Sequence, residues 1–336
     1  MPIRLIEIYV PNDFKESVVE VLAKHPTLGV WSEKIAGRQL HVDVLVSAEE
    51  SEPILDLLEK KLSGVEGFRI IILPVEASIP RPQKPEPEPE GLEKCETEST
   101  RPKSRVSREE LYADITEAVN LNYPYIALVV LSTIVAAIGL LKDNVAAIIG
   151  AMVIAPLLGP NVGLSLATTL GDFKLAKDAF KANVAGLFTA LFLSVVIGVI
   201  LKIDPTIREI ATRTQVSLGD IALALASGSA GALAFTTGVS TMLVGVMVAV
   251  ALLPPLVVLG LLVGSGHFDC AWGALLLLLT NLICVNLSGV ITFLAQGVRP
   301  LTWWQADRAN KATGRAIGIW VVLLVTLVVV IILSYR

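Results

Sequence analysis

Charge is scarce in this chain. Charged residues make up 17% of its 336 positions, against about a quarter in ordinary soluble domains, which excludes a wholly soluble protein. Cysteine is limited to Cys95, Cys270 and Cys284, too few and too scattered for a disulfide framework or a zinc ligand set. Three histidines exclude most histidine-rich metal chemistry. The formal net charge of -4 offers no basic surface, so no nucleic-acid partner is expected. Also missing are a Walker loop, a GxGxxG after a strand, an HExxH pair and a haem or iron–sulfur pattern. No cofactor and no enzymatic activity are therefore expected.

The charges that exist are unevenly placed. Residues 1–122 hold 15 Lys/Arg and 23 Asp/Glu, whereas the longer stretch 123–336 holds only 12 and 8. Uncharged runs occupy 144–171, 182–201, 221–266, 270–298 and 316–335, and Pro124 to Leu141 adds another. A bilayer core of roughly 30 Å needs about 20 apolar residues in a helix. Seven spans follow, at about 124–141, 144–169, 182–202, 219–236, 239–263, 271–296 and 316–334, with a turn at Thr236-Thr237-Gly238. No signal-peptide pattern opens the chain, so the first 122 residues are expected to be cytoplasmic. Lys174, Lys177, Lys181, Arg299, Arg308, Lys311 and Arg315 then lie in inner loops, beside Arg101, Lys103, Arg105 and Arg108 before the first span. Outer positions hold Lys142, Lys202, Arg208, Arg213 and Arg336. That bias fits the positive-inside rule and puts the C-terminus outside a cell membrane.

Ahead of the spans, residues 1–77 alternate in a different way. Strand patterns at 3–10, 29–35, 40–46 and 67–76 are separated by helix patterns from Pro11-Asn12-Asp13 to about Ala23 and at 48–63, the latter with Ile54, Leu57, Leu58 and Leu62 on one face. The order βαββαβ is that of an α+β ferredoxin-like domain, a fold class that leaves room for a small ligand or for self-association. Residues 78–106 carry Pro80, Pro82, Pro85, Pro87, Pro89 and Pro102 among Glu, Lys and Ser, the composition of a semi-stiff solvated linker. Residues 107–122 read as an amphipathic juxtamembrane helix with Leu111, Ile115 and Val119 as its stripe. Ser107 and Glu110 form its capping box. Whether it continues into the first span or lies in the interface is open from pattern alone.

The membrane part, 123–336, repeats itself. At an ungapped offset of 95, Gly150, Met152, Val153, Leu157, Leu158 and Pro160 fall on Gly245, Met247, Val248, Leu252, Leu253 and Pro255. Gly171 and Phe173 fall likewise on Gly266 and Phe268. Repeat 1 occupies about 124–202, repeat 2 about 219–297, and the span at 316–334 is additional. Three spans per copy invert the second copy, the plan of many transporters with a site at the repeat interface. Pro156, Gly159 and Pro160 are expected to break span 2, and Pro254 and Pro255 to break span 5. Proline deletes a backbone donor and frees a carbonyl, which membranes tolerate where protein or a watery cavity satisfies it. Such breaks also serve packing alone.

Among polar residues in the spans, Asn161 and Asn281 are the candidates for lining a path. Asn183 and Asn286 are expected to tie helices together. No Asp, Glu, Lys, Arg or His sits at a span centre, which argues against a proton relay. Asp143 and Asp220 lie at span ends, where helix capping is their plainer role.

The stretch Gly150-Ala151-Met152-Val153-Ile154-Ala155-Pro156-Leu157-Leu158-Gly159-Pro160 resembles a prokaryotic membrane family, domain of unknown function 389, over roughly residues 120–300. Ala136 to Asn144 and Gly171-Asp172 are similar to it as well. The resemblance implies a multi-span membrane protein, joined in several members to a small soluble domain, and supplies no substrate. Taken together, the sequence points to a transporter or channel for an ion or small solute, set in a lipid bilayer and self-associating as a homo-oligomer. The alternatives are a non-transporting scaffold or sensor, and a lipid-binding protein using Lys174, Lys177 and Lys181.

Overall fold

Ile6, Ile8 and Val10 are fully buried and alternate along the first strand with half-buried Leu5, Glu7 and Tyr9, the period-2 pattern of a sheet covered on one face. The computed structural model describes residues 3–35, 39–75, 78, 106–237, 241–298, 318 and 320–332, with the backbone alone over 241–247. It divides into two compact units, residues 1–111 and 112–336.

The first unit follows the expected order. Strand β1 (Ile3–Pro11) leads through a short 3-10 turn into α1 (Lys15–Leu22), then β2 (Gly29–Ile35), β3 (Gln39–Ser47), α2 (Ala48–Leu62) and β4 (Arg69–Val75). The sheet order is β2-β3-β1-β4 with every neighbour antiparallel, the arrangement of the split βαββαβ unit. Val18, Val21 and Leu22 of α1 and Ile54, Leu55, Leu58 and Leu62 of α2 close over the buried sheet face. Leu55 takes the place expected for Leu57, which is only half-buried. The linker reading for 78–106 falls almost wholly outside the described residues.

Helix α3 (Arg108–Val119) starts on the expected cap, with the Glu110 N–H donating to Ser107 Oγ at 3.3 Å. The Glu110 carboxylate does not complete a capping box; it accepts two bonds from the Arg4 guanidinium, at 2.8 and 2.9 Å. Nor does α3 run on into the first span. It ends at Val119, and Asn122 caps α4 (Tyr123–Leu141) by accepting from the Tyr125 N–H at 2.9 Å. Ile115 and Val119 face protein: a Cβ built at Gly163 would collide with Val119 and touch Ile115.

The rest of the second unit is helical. It comprises α5 (Val145–Ile154), α6 (Leu158–Leu170), α7 (Phe173–Ile200), the short α8 (Arg208–Ala211), α9 (Leu218–Thr237), α10 (Thr241–Gly264), α11 (Phe268–Ala295) and an apolar α12 (Trp320–Ile332). Among the described residues α4, α7, α9 and α11 are each long and apolar enough to cross a membrane. The α5–α6 pair, bent by 54°, makes a fifth if it is one span. Val248–Gly264 within α10 and α12 are apolar but shorter.

One capping expectation is corrected and the other is met as half of a capping box. Asn144 rather than Asp143 caps α5, accepting from the Ala147 N–H at 3.1 Å; Asp143 has a positive φ of 50° and accepts from the Glu209 N–H. Asp220 sits inside the first turn of α9. It receives the Ser217 N–H and hydroxyl while Ser217 Oγ accepts from the Asp220 N–H, so the two residues cap α9 together as a capping box.

Close helix packing rests on small residues, as in many membrane bundles. A Cβ at Gly198 of α7 would strike the Leu261 carbonyl of α10, and one at Gly264 of α10 would strike the Val195 carbonyl of α7.

Candidate functional site

Of the two expected helix breaks, one is present. Ala155 is extended at φ -67°, ψ 120°, the conformation favoured before proline, and α6 restarts at Leu158 with Pro160 in its first turn. Leu157, Gly159 and Pro160 are buried, so this helix start lies in the protein interior. Gly159 is there because nothing larger fits: a Cβ would collide with the Ala118 carbonyl of α3.

Pro254 and Pro255 do not break span 5, contrary to the sequence reading; α10 continues through both. Pro255 has no N–H to give the carbonyl four residues back, that of Ala251. Asn281 of α11 supplies the missing donor, its Nδ2 lying 2.7 Å from the Ala251 oxygen. The rung that Pro255 removes is thus replaced from outside, while the adjacent Pro254 removes another, to Val250. Asn281 itself is 4% exposed, and its Oδ1 is buried without a hydrogen-bond partner.

Asn161, one residue past Pro160, is the centre of a second polar junction. Its Nδ2 donates to the Leu157 carbonyl at 2.8 Å and to Asn183 Oδ1 at 3.2 Å. Its Oδ1 accepts from Asn183 Nδ2 at 3.3 Å and from Asn286 Nδ2 at 3.2 Å. All four hydrogen-bonding positions of the amide are used. Ser165 Oγ lies within 3.1–3.4 Å of the Asn161 carbonyl, the Asn286 carbonyl and Asn286 Oδ1; its single proton serves one at a time. The three asparagines and Ser165 are each at most 5% exposed and bind α6, α7 and α11 together.

The structure therefore groups the candidates differently from the sequence. Asn161 joins the helix-tying residues Asn183 and Asn286. Asn281 stands apart with Pro255, five residues before Asn286 and about 7.5 Å along α11 at the usual helical rise.

At the N-terminal end of α7 lies a cavity of about 450 Å³, lined by Tyr112, Thr116, Asn120, Lys174, Asp178 and Lys181 among others. Lys174 and Lys181 are two of the three lysines singled out in the sequence; Lys177 is not in the lining. Asp178 tempers their charge, its Oδ1 lying 3.8 Å from Lys181 Nζ. Burial, helped by a 2.8 Å bond to Asp172, pushes the Tyr112 hydroxyl above its ordinary pKa.

The profile of a family described as domain of unknown function (DUF389) matches residues 152–287, a stretch that contains both junctions. An uncharacterized protein of Methanocaldococcus jannaschii is 37% identical over 333 residues, covering 99% of each chain. The chain belongs to the DUF389 family. No solved structure matches it. In this DUF389 protein the break between α5 and α6 and the satisfied Pro255 of α10 both fall inside the family match. The βαββαβ unit lies outside it but inside the span shared with the archaeal relative.

Proposed function

We propose that this DUF389 protein is a membrane transport protein for an ion or small solute, formed by two inverted three-span repeats and a seventh span, and that it is not an enzyme. The observation that carries the reading is the buried helix break at Ala155–Leu157, which sets the start of α6 beside Asn161 in the protein interior. Interrupted helices near a midplane are a common way to hold a charged or polar solute. Helix bounds support the duplication. Shifted by 95, α7 (Phe173–Ile200) falls on α11 (Phe268–Ala295) and α4 on α9 within a residue, and the positive-φ Gly171 falls on the positive-φ Gly266. The seven-span reading takes α5–α6 as one span and adds α10 and α12 to the four long helices. In this reading the βαββαβ domain is cytoplasmic and serves ligand sensing or homo-oligomer formation, and the C-terminus lies outside a prokaryotic cell membrane.

A specific observation favours a second reading, a non-transporting scaffold or sensor. Asn161 is saturated and Pro255 is buried, so both positions are engaged by protein in this conformation. A carrier would have to exchange those bonds to open. The lysine-lined cavity beside Tyr112 in turn supports a lipid-headgroup role. Purified protein reconstituted into liposomes and assayed for ion and small-solute flux separates these readings. Flux above empty liposomes, reduced by Pro160→Ala or Asn161→Leu at equal expression, upholds transport. No flux across a broad panel sinks it and leaves the scaffold. Saturable enrichment of anionic lipid without flux, lost in Lys174→Ala/Lys181→Ala, upholds the headgroup role.

A further inference from the structure

The helix-free face of the N-terminal sheet carries a cluster that the transport reading does not use. Cross-strand register sets Glu7 of β1 opposite Asp43 of β3, and Tyr9 opposite His41. All four side chains therefore share the open face of the sheet, while Ile6, Ile8, Val42 and Val44 fill the other. One ligand atom each from Glu7, His41 and Asp43 lies within 4.8 Å of the others. His41 Nε2 is 3.1 Å from Asp43 Oδ1 and 4.0 Å from Glu7 Oε2.

The close His41–Asp43 approach is not a hydrogen bond. Both atoms are buried, and neither has a hydrogen-bond partner. Ligand atoms that converge without bonding each other fit a shared cation better than an ion pair. Edges of a tetrahedron with metal–ligand bonds of about 2.0–2.1 Å are roughly 3.3 Å, and the two measured separations bracket that length. The surroundings hold the set in place. The Tyr9 ring stacks on His41 with centroids 4.5 Å apart, and its hydroxyl donates to Glu7 Oε2 at 3.1 Å. Glu33 is directly opposite His41 on β2, and Arg69 opposite Tyr9 on β4. The face thus has three carboxylates against one guanidinium around the imidazole, a field that favours a divalent cation.

We propose that Glu7, His41 and Asp43 form a binding site for one first-row divalent transition ion of the zinc class, with water completing the coordination. An imidazole nitrogen in the set favours zinc-like ions over magnesium or calcium, which prefer all-oxygen shells. The test uses the full chain in detergent, free of any polyhistidine tag, stripped with chelator and titrated with Zn²⁺ alone. The expected result is one Zn²⁺ per chain, with affinity reduced at least tenfold by His41→Gln and by Asp43→Asn. His25→Gln, whose imidazole contacts Glu50 instead, should bind as the parent does. X-ray absorption of the zinc-loaded parent, which needs no variant, should show one imidazole nitrogen, oxygen ligands and no sulfur. Absence of stoichiometric Zn²⁺ binding, retention of full affinity in folded His41→Gln, or a sulfur-containing shell would each overturn the assignment.

Discussion

If Asn281 exists to serve the carbonyl that Pro255 abandons, the two residues must be energetically coupled even though they are 26 positions apart. Asn281→Leu removes the 2.7 Å bond to the Ala251 oxygen and leaves that acceptor buried and unpaired. In soluble cores such a loss costs about 1–3 kcal/mol; interhelical hydrogen bonds in membrane bundles average about 0.6 and reach about 1.7 kcal/mol. The substitution also deletes Asn281 Oδ1, itself buried without a partner, which returns part of the loss. A net destabilisation of about 1 kcal/mol is expected. In a Pro255→Ala background the new N–H reaches the Ala251 oxygen through the ordinary helical bond, so Asn281→Leu should cost about zero or become stabilising. The coupling in a double-mutant cycle should therefore be about 1 kcal/mol. Reversible unfolding of the four proteins in mixed micelles, monitored by helical circular dichroism, measures it. Additivity to within about 0.3 kcal/mol would falsify the claim that Asn281 acts on the proline-freed carbonyl.

Two further outcomes follow from the same geometry. Asn161→Leu strips partners from both Asn183 and Asn286, whereas Asn183→Leu removes only the reciprocal pair with Asn161; the first should destabilise more, by about 1–3 kcal/mol, in the same unfolding assay, and an equal or reversed ranking would show that Asn161 is not the hub. In the N-terminal domain, hydrogen bonds from Lys61 and then Lys24 hold Glu20 down at about 2, against an ordinary value of 4.5. A depressed carboxylate stabilises the fold above its unfolded pKa, and that stability is lost as pH falls through the folded value. The urea midpoint of parent relative to Glu20→Gln, read at Trp31 with the other tryptophans replaced by phenylalanine, should hence be flat above about pH 5 and converge between 4.5 and 2; a gap that persists at pH 2 contradicts this.

Local pattern suffices where one face of an element is buried and the other is not. Strands β1 and β3 alternate strictly and turn residues delimit β2, so the strand bounds and the βαββαβ order are legible within a residue or two, and the sheet order follows from the split unit. In the bundle nearly every position is apolar, so periodicity no longer says which face meets which helix. Asn161 and Asn286 are 125 residues apart, and nothing in either segment announces that their amides meet. The cation cluster shows the same limit on the sheet. Glu7 and Asp43 are opposite each other only because β1 pairs with β3 in one register, and a slip of a single residue would send one of them to the core face.

The two proline sites make the point most sharply, because they share one sequence frame. Pro160 and Pro255 occupy the same place at an offset of 95, and each removes one helical donor. Around Pro160 the chain breaks: Pro156, four residues earlier, removes a second donor, and Gly159 lets α3 approach against the new helix start. Around Pro255 the helix continues although Pro254 removes a second donor there too, and a distant side chain supplies the bond that Pro255 loses. At 95 residues before Asn281 stands Gly186, against which Tyr125 is packed, so α7 has no amide there to offer. Two prolines in matching frames thus end as a break in one place and a continuous helix in the other, and the difference lies in what the neighbouring helices present.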